Sequence, residues 1–407
     1  MITFSPLPAH GLGGAGELPV PMIYAVIGAS WALTVSFAVV AWAWREPRFD
    51  RETFKTPRPR NPILAVAGVV AVALVLGLLF TGPATDENRG LGAVYVVVWV
   101  GLVPLALIAG YVWRDLSPWR TLQALVGRVT KRPDGWCPYP GWLGYWPASI
   151  GLFAFAWLEL ASPHPASVRA VATWLVVYMS ITVIGGVVFG PTWFDRADPF
   201  DVYSAMVAKA SPLVRDGRWA PHNPLRTLPT IPVDRGLLAV IAVLLGSTAF
   251  DSFSGLRLWT SRDPGVGFTS AALFAFCVAA GTLFALAAIS TGGVEREERA
   301  ALPAAYAHAL VPIAIGYVLA HYLTVLVGTG PEIVGLPDFE WFVGTHRPLL
   351  ATVKVTLVVL GHITAVFAAH DRALAVLPRA HRLTGQLVML LLMVGYTFVG
   401  LFLLLTT

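Results

Sequence analysis

Residues 45–82, REPRFDRETFKTPRPRNPILAVAGVVAVALVLGLLFTG, place a basic segment directly before an uninterrupted apolar run. The run from Pro62 to Gly82 has no charged side chain, and as a helix it is long enough to cross a bilayer core of roughly 30 Å. The segment before it carries six Lys and Arg residues, which membrane proteins concentrate on the cytoplasmic side. This stretch therefore predicts a transmembrane helix that starts at the cytoplasmic surface.

The composition of the whole chain agrees with this reading. Of its 407 residues, 56% are hydrophobic and only 13% are charged, whereas soluble domains carry roughly 25% charged residues. Most of the protein surface must then face lipid, so we expect the bilayer to be the main partner. The formal net charge of +5 does not indicate nucleic-acid binding, because the basic residues concentrate on one predicted side of the membrane.

The chain contains further apolar segments of membrane-spanning length, and together they predict an all-α, polytopic transmembrane helix bundle of about ten spans. The start of the fourth span is the least distinct, because Pro147 and a Trp/Gly-rich stretch precede it. The predicted spans are 22–44, 62–82, 92–113, 143–162, 168–190, 236–258, 268–291, 303–328, 348–369 and 386–406.

The connecting segments predict the orientation. Alternate connections carry 22 Lys and Arg residues, and the other four connections carry five. This bias requires an even number of spans, so both termini are expected on the extracytoplasmic side. We treat 1–407 as a single membrane domain, with an external arm at 1–21 and a cytoplasmic connection at 191–235 between two five-helix halves. Part of that connection reads as a short amphipathic surface helix or an ordered loop.

Four ionisable residues lie toward the predicted outer ends of four different spans, and charges inside spans usually face the protein interior. They are Glu159, Asp251, His321 and Lys354. We expect them to form one polar site for a substrate or ion, with nearby hydroxyl groups satisfying Asp251. The plainer alternatives are a wet interfacial Glu159, a Lys354 that extends to the headgroups, a packing role for His321, and a structural Asp251–Lys354 ion pair. The hydroxyl residues are Ser247, Thr248 and Ser252.

Histidines nearer the predicted cytoplasmic side raise a second possibility. Because neutral histidine is a common metal ligand, His308 and His362 could together hold haem or copper. His10 and His164 are predicted to be external, and both read as solvated loop residues. The sequence contains no GxxxxGK[ST], HExxH or GxSxG motif, so P-loop ATP binding and the common embedded proteases are not expected.

Several longer motifs resemble one family of bacterial multi-pass membrane proteins, many of them from actinobacteria, in which some members are labelled fenitrothion hydrolase. The resemblance covers nearly the whole chain and implies residence in the bacterial plasma membrane and hydrolysis of organophosphate triesters. It provides no site residues that could be transferred to this chain. The motifs are AHGLGG at 9–14, RDLSPW at 114–119, FDRADPFDVYS at 194–204, LLGSTAFDSFSG at 244–255, AHYLT at 320–324 and GHITAVFAAHDRAL at 361–374.

Three functions remain open at this point. The ten spans and the polar residues at one depth favour transport or permeation of a small solute or ion, in which Asp251 takes up a proton or cation. The resemblance implies a membrane-embedded hydrolase instead. A haem- or copper-binding subunit of a redox assembly is the third reading, and it depends on His308 and His362.

Overall fold

The computed structural model describes residues 18–49, 59–85, 87–215, 218–262 and 264–406. This part of the chain is almost entirely helical, with one short antiparallel pairing of Val214–Arg215 with Arg218–Trp219. The α-helices of at least eight residues are α1 Met22–Ala43, α2 Pro62–Thr81, α3 Leu102–Ala109, α4 Pro118–Thr130, α5 Trp146–Leu160, α6 Val168–Phe189, α7 Pro199–Ala208, α8 Leu237–Ser254, α9 Val266–Ile289, α10 Val311–His321, α11 Arg347–Val376 and α12 Leu387–Thr406.

Shorter helical segments connect these helices. The α-helical ones are Arg89–Gly92, Trp113–Leu116, Pro191–Arg196, Pro224–Thr227, Arg257–Thr260, Arg296–Arg299, Leu302–Tyr306, Leu323–Val327, Gly330–Ile333 and Glu340–Thr345. A π-helix covers Ala93–Val100, and 3-10 turns cover Leu228–Thr230, Ala307–Leu310, Arg379–His381 and Thr384–Gln386.

The predicted all-helical fold is confirmed, and the predicted spans fall on helices. Among the described residues, eight helical segments are long and apolar enough to cross a membrane. A ninth results if Arg89–Val100 and α3, which meet at an angle of 43°, are counted as one broken span. Helix α5 has 15 residues, so it is shorter than the roughly 20 residues of a full vertical crossing.

The break before α3 has a local cause. The helix widens into the π-helix Ala93–Val100, and Gly101 then follows at the point where the direction changes. Pro104 lies in the first turn of α3, where its missing N–H removes one backbone hydrogen bond. At the other end of α3, Gly110 has φ +70°, a conformation that favours glycine. Inserted π-turns and prolines are the usual causes of sharp helix kinks.

Helix α10 forms the centre of the bundle, and every one of its residues except Leu319 is buried. It packs along α11 and also contacts α8. The crossing with α11 is close because Gly316 and Gly361 face each other, with the Cβ position of Gly316 lying 2.5 Å from the Leu357 carbonyl oxygen. Helix α1 packs against α11 and α12, so the first and last helices of the described chain are neighbours.

Helix α7 differs from its sequence interpretation. The surface helix expected within 191–235 is instead buried, and α7 packs against α3 and α5 inside the bundle. The physical reason is its apolar and aromatic content, because packing inside the bundle removes Phe200, Val202, Tyr203 and Met206 from water. Asp198 begins the helix as an N-cap that accepts hydrogen bonds from the next backbone N–H groups.

We predict that Gly361→Val strongly lowers thermal stability. A Cβ at position 361 would lie 2.5 Å from the Pro312 carbonyl oxygen, so α10 and α11 must separate. Overpacking of this kind costs about 1–3 kcal/mol. Gly77→Val is the matched control, because no atom lies within 4 Å of a Cβ at that position. Thermal unfolding followed by circular dichroism in detergent checks this, and equal melting temperatures for the two variants would contradict it.

Candidate functional site

The carboxylate of Asp251 is a buried polar group that connects two helices of the bundle core. Its Oδ2 atom lies 2.7 Å from His321 Nε2 and accepts a hydrogen bond of 2.9 Å from the Tyr322 hydroxyl. On the other side of the imidazole, His321 Nδ1 lies 3.0 Å from Ser252 Oγ, which lies 3.0 Å from the Tyr317 hydroxyl. These five residues are called the Asp251 cluster.

The donors and acceptors of this cluster form a consistent series. An ionised Asp251 accepts from the Nε2–H of a neutral His321, so His321 Nδ1 must accept from the Ser252 hydroxyl. Ser252 Oγ in turn accepts from the hydroxyl of Tyr317. If a proton is added at Nδ1, the Ser252 hydroxyl must turn round and donate to Tyr317. The cluster can therefore take up a proton by rotating hydroxyl groups, without breaking the Asp251–His321 contact.

The helices place this cluster where their own ends meet. Asp251 lies in the last turn of α8, and His321 is the final residue of α10, so both helices end earlier than the spans 236–258 and 303–328 predicted. A carboxylate at a helix C-terminus faces the negative end of the helix dipole. Asp251 is only 4% exposed, so it depends on donors from α10 and Tyr322 for stabilisation.

Glu159 and Lys354, the other two predicted site residues, lie at the same end of the bundle. Glu159 is in the last turn of α5 and is partly exposed, and its carboxylate lies within electrostatic range of Asp251 and Tyr322. Lys354 is 1% exposed on α11, three residues from Leu357, whose carbonyl oxygen contacts Gly316 of α10. The structure thus brings Asp251 and His321 into direct contact. Lys354 is buried at a similar position along the length of the bundle.

Sequence reasoning assigned the wrong role to some hydroxyl groups. The Ser247 and Thr248 hydroxyls donate to the carbonyl oxygen of Leu244 in their own helix, and Ser252 binds His321 and Tyr317. Tyr322, which the sequence analysis did not select, donates to Asp251 instead. The available sequence signal was that Tyr322 directly follows His321. Because α10 ends at His321, both side chains reach the same carboxylate.

A second polar cluster was missed because its charged residues belong to predicted cytoplasmic connections. Arg120 of α4 is 6% exposed, and its Nε lies 2.6 Å from Asp201 Oδ2. Its Nη2 atom lies 2.6 Å from Asp195 Oδ1, and the Tyr111 hydroxyl donates to Asp201 Oδ1. We call these four residues the Arg120 cluster. The sequence signal was the density of aspartates in 194–204.

Asp198 lies beside the Arg120 cluster and is fully buried. Its Oδ1 accepts from the Tyr178 hydroxyl at 2.9 Å and from the Phe200 N–H at 3.1 Å. Its Oδ2 has no hydrogen-bond partner within the described part of the chain. Burial, and then the neighbouring carboxylate of Asp201, raise the pKa of Asp198 to about 7.

Between the two clusters, several buried polar atoms have no hydrogen-bond partner among the described residues. They include the Tyr203 hydroxyl, Ser204 Oγ and Trp99 Nε1. The rings of Trp99 and Tyr203 are 5.2 Å apart, and Phe155 contacts Trp99 one helical turn from Glu159. Helix α7 therefore places polar atoms between Asp198 and the Glu159 end of the bundle, where bound water would satisfy them.

His308 and His362, the predicted metal ligands, are not part of a larger group of metal-binding side chains among the described residues. Within the described ranges, no group of three or more His, Cys, Asp or Glu residues could hold a metal ion. His308 Nδ1 and His362 Nδ1 each contact a carbonyl oxygen of their own segment, at 3.1 Å and 2.8 Å. His164 is exposed, and His10 lies outside the described residues.

No protein-family model matches this chain, and no curated protein and no solved structure matches it.

We predict that Asp198→Asn reduces the pH dependence of stability. A carboxyl whose pKa is raised to about 7 when folded stabilises the folded state fully below its unfolded pKa of about 3.9. That stability is lost as the pH rises from about 4 to 7, by about 1 kcal/mol per pH unit. The asparagine variant should lose less stability over this window than the wild type.

Melting temperatures measured from pH 4 to 8 check this prediction. Asp338→Asn, at an exposed position, is the matched control and should follow the wild-type curve. Parallel curves for Asp198→Asn and the wild type would show that this carboxyl does not titrate on unfolding.

Proposed function

We propose that this chain is an integral membrane transporter that moves a proton or small cation, with the Asp251 cluster as its binding site. The observation that carries this proposal is the buried Asp251–His321 pair, continued by the Ser252 and Tyr317 hydroxyls at 3.0 Å steps. Ionisable residues inside membrane-spanning bundles usually mark ion or proton pathways. In this reading the ten segments are ten spans, both termini are extracytoplasmic, and the membrane is the bacterial plasma membrane.

In the proposed mechanism, Asp251 accepts the proton or cation from the outer side, where Glu159 provides a partly exposed carboxylate. His321 shares the charge with Asp251. A proton held at its Nδ1 is donated to Ser252 Oγ while the Ser252 hydroxyl rotates to donate to Tyr317, and the reverse rotation accompanies its release from the same nitrogen. Lys354, buried on α11, lowers the net negative charge of the site and so favours release.

The inner part of the proposed path follows α7. Its unpartnered polar atoms at Tyr203 and Ser204 provide positions for water between the two clusters. Asp198, with its free Oδ2 and a pKa raised to about 7 by burial, would be the inner proton acceptor. The Arg120 cluster holds α7 in place, since removing one partner of a buried ion pair costs about 3–5 kcal/mol.

We predict that Asp251→Asn lowers proton flux into proteoliposomes by at least about tenfold, because an amide cannot accept and release a proton. His321→Gln should give an intermediate loss. Asp371→Asn is the matched control, since Asp371 accepts the backbone N–H of Arg48 at 2.7 Å, away from the Asp251 cluster. Wild-type flux in Asp251→Asn, measured with an entrapped pH-sensitive dye, would exclude the assigned role.

A second candidate function has one specific observation in its favour. Ser252, His321 and Asp251 form a Ser–His–Asp series, with contacts of 3.0 and 2.7 Å. Serine hydrolases use the same three residue types to activate a serine nucleophile, with the two ring nitrogens exchanged, since here Nδ1 contacts the serine and Nε2 the aspartate. It agrees with the organophosphate hydrolysis that the family resemblance implies. Against it, Ser252 is 0% exposed and already bonded to Tyr317, so a substrate reaches it only if α8 and α10 separate.

A tagged fluorophosphonate distinguishes the two functions. The hydrolase reading predicts a covalent adduct on Ser252 in the wild type and none in Ser252→Ala. We expect the native protein to remain unlabelled, because the burial of Ser252 prevents attack. Intact-mass analysis of the protein in lipid nanodiscs reads the result, and an adduct that disappears in Ser252→Ala would favour the hydrolase over the transporter.

A further inference from the structure

A groove of about 690 Å³ lies beside the Asp251 cluster, between α8, α9, α10, α11 and α12. This volume is within the range of sites that hold whole small molecules. Its walls are apolar, with residues such as Leu245, Phe276 and Leu392. The groove opens sideways, toward the lipid-facing surface of the bundle, because Leu283 and Leu391 on its rim are 49% and 72% exposed.

The polar groups on the wall of this groove are already bonded, with one exception. The Tyr396 hydroxyl donates to the carbonyl oxygen of Ala280 at 2.6 Å, and Ser290 Oγ donates to that of Leu286 at 2.7 Å. Tyr317 is bonded to Ser252. The exception is His362, which is 1% exposed and whose Nε2 has no hydrogen-bond partner among the residues that the structure describes.

The hydrogen bond of the other ring nitrogen, Nδ1, shows whether His362 Nε2 is a donor or an acceptor. Nδ1 lies 2.8 Å from the carbonyl oxygen of Val358, one turn earlier in α11. A carbonyl can only accept, so in the neutral ring Nδ1 carries the hydrogen and Nε2 presents a lone pair. A buried acceptor left without a donor destabilises the folded state. The groove therefore lacks one hydrogen-bond donor, at a single position on an otherwise apolar wall.

The depth of His362 restricts which molecule can supply that donor. His362 lies within α11, seven residues before the inner end of the predicted span 348–369, roughly 10 Å below the bilayer surface at 1.5 Å per residue. A phospholipid keeps its headgroup at the bilayer surface, and its acyl chains carry no donor. A molecule that dissolves in the bilayer core and bears one hydroxyl meets both conditions.

We propose that this groove binds a membrane-soluble amphiphile through a hydroxyl group that donates to His362 Nε2. The apolar body of the ligand, a phenol or a long-chain alcohol, fills the groove between α9 and α12. The ligand enters from the lipid, past the exposed Leu283 and Leu391. The ring of Tyr317 forms part of the same wall, so the ligand contacts a member of the Asp251 cluster. The site itself does not depend on ion transport.

The test compares probes that differ in the donor. Tritiated 4-nonylphenol and 4-nonylanisole share an apolar body, but the methyl ether has no hydroxyl, and 1-dodecanol separates aliphatic from phenolic donors. Equilibrium binding to the protein in lipid nanodiscs, with empty nanodiscs subtracted, should be saturable. One hydrogen bond to a buried acceptor corresponds to roughly tenfold tighter binding of the phenol than of its ether.

Two variants distinguish the contribution of the hydrogen bond to binding from that of the apolar groove. His362→Phe removes the acceptor and should make the phenol and the ether bind equally. Gly395→Leu adds a side chain to the groove wall, where no atom lies within 4 Å of the new Cβ, and should abolish binding of every probe. Equal affinity of the phenol and the ether for the wild type would overturn the proposal, as would unchanged binding in Gly395→Leu.

Discussion

The hydrogen bonds that His321 and Tyr322 make to the Asp251 carboxylate are the interaction on which the rest of the site depends. Asp251 is buried at the C-terminal end of α8, where both the apolar surroundings and the helix dipole oppose a negative charge. Its stability therefore requires that the end of α10 lie against the end of α8. The same contact fixes the orientation of the imidazole, and through it the Ser252 and Tyr317 hydroxyls. One set of atoms thus meets a structural requirement and forms the proposed proton relay.

The position of α10 is in turn set by its packing. Gly316 and Gly361 allow α10 and α11 to approach until the backbone of each contacts the other, as small residues commonly do in membrane bundles. Lys354 is buried on α11 and Asp251 on α8, and both helices pack against α10. The charged residues reach the core because small residues let three helices meet closely, and the low dielectric there strengthens their interactions.

Helix α7 gives the molecule a polar interior away from the Asp251 cluster. It enters the bundle with Asp198 and Asp201 at its start, and the Arg120 guanidinium balances their charge. The helix has 10 residues, too few to cross a membrane, and it packs against α3 and α5. Unpartnered hydroxyls at Tyr203 and Ser204 follow from this insertion. The groove beside His362 is separate from this polar interior. It opens toward the lipid-facing surface of the bundle, and it lacks a hydrogen-bond donor for His362 Nε2 among the described residues.

The sequence by itself determined the helices, because about 20 apolar residues in a row have few alternatives in a lipid environment. It also selected Asp251 and His321, since charged or titratable residues are rare in such runs. It did not determine their contacts, which depend on where α8 and α10 end and how closely α10 approaches α11. The Arg120 cluster and the burial of α7 were also decided only by tertiary structure. Those residues are polar or aromatic, as in any surface loop, and only packing against α3 and α5 gives them an interior environment.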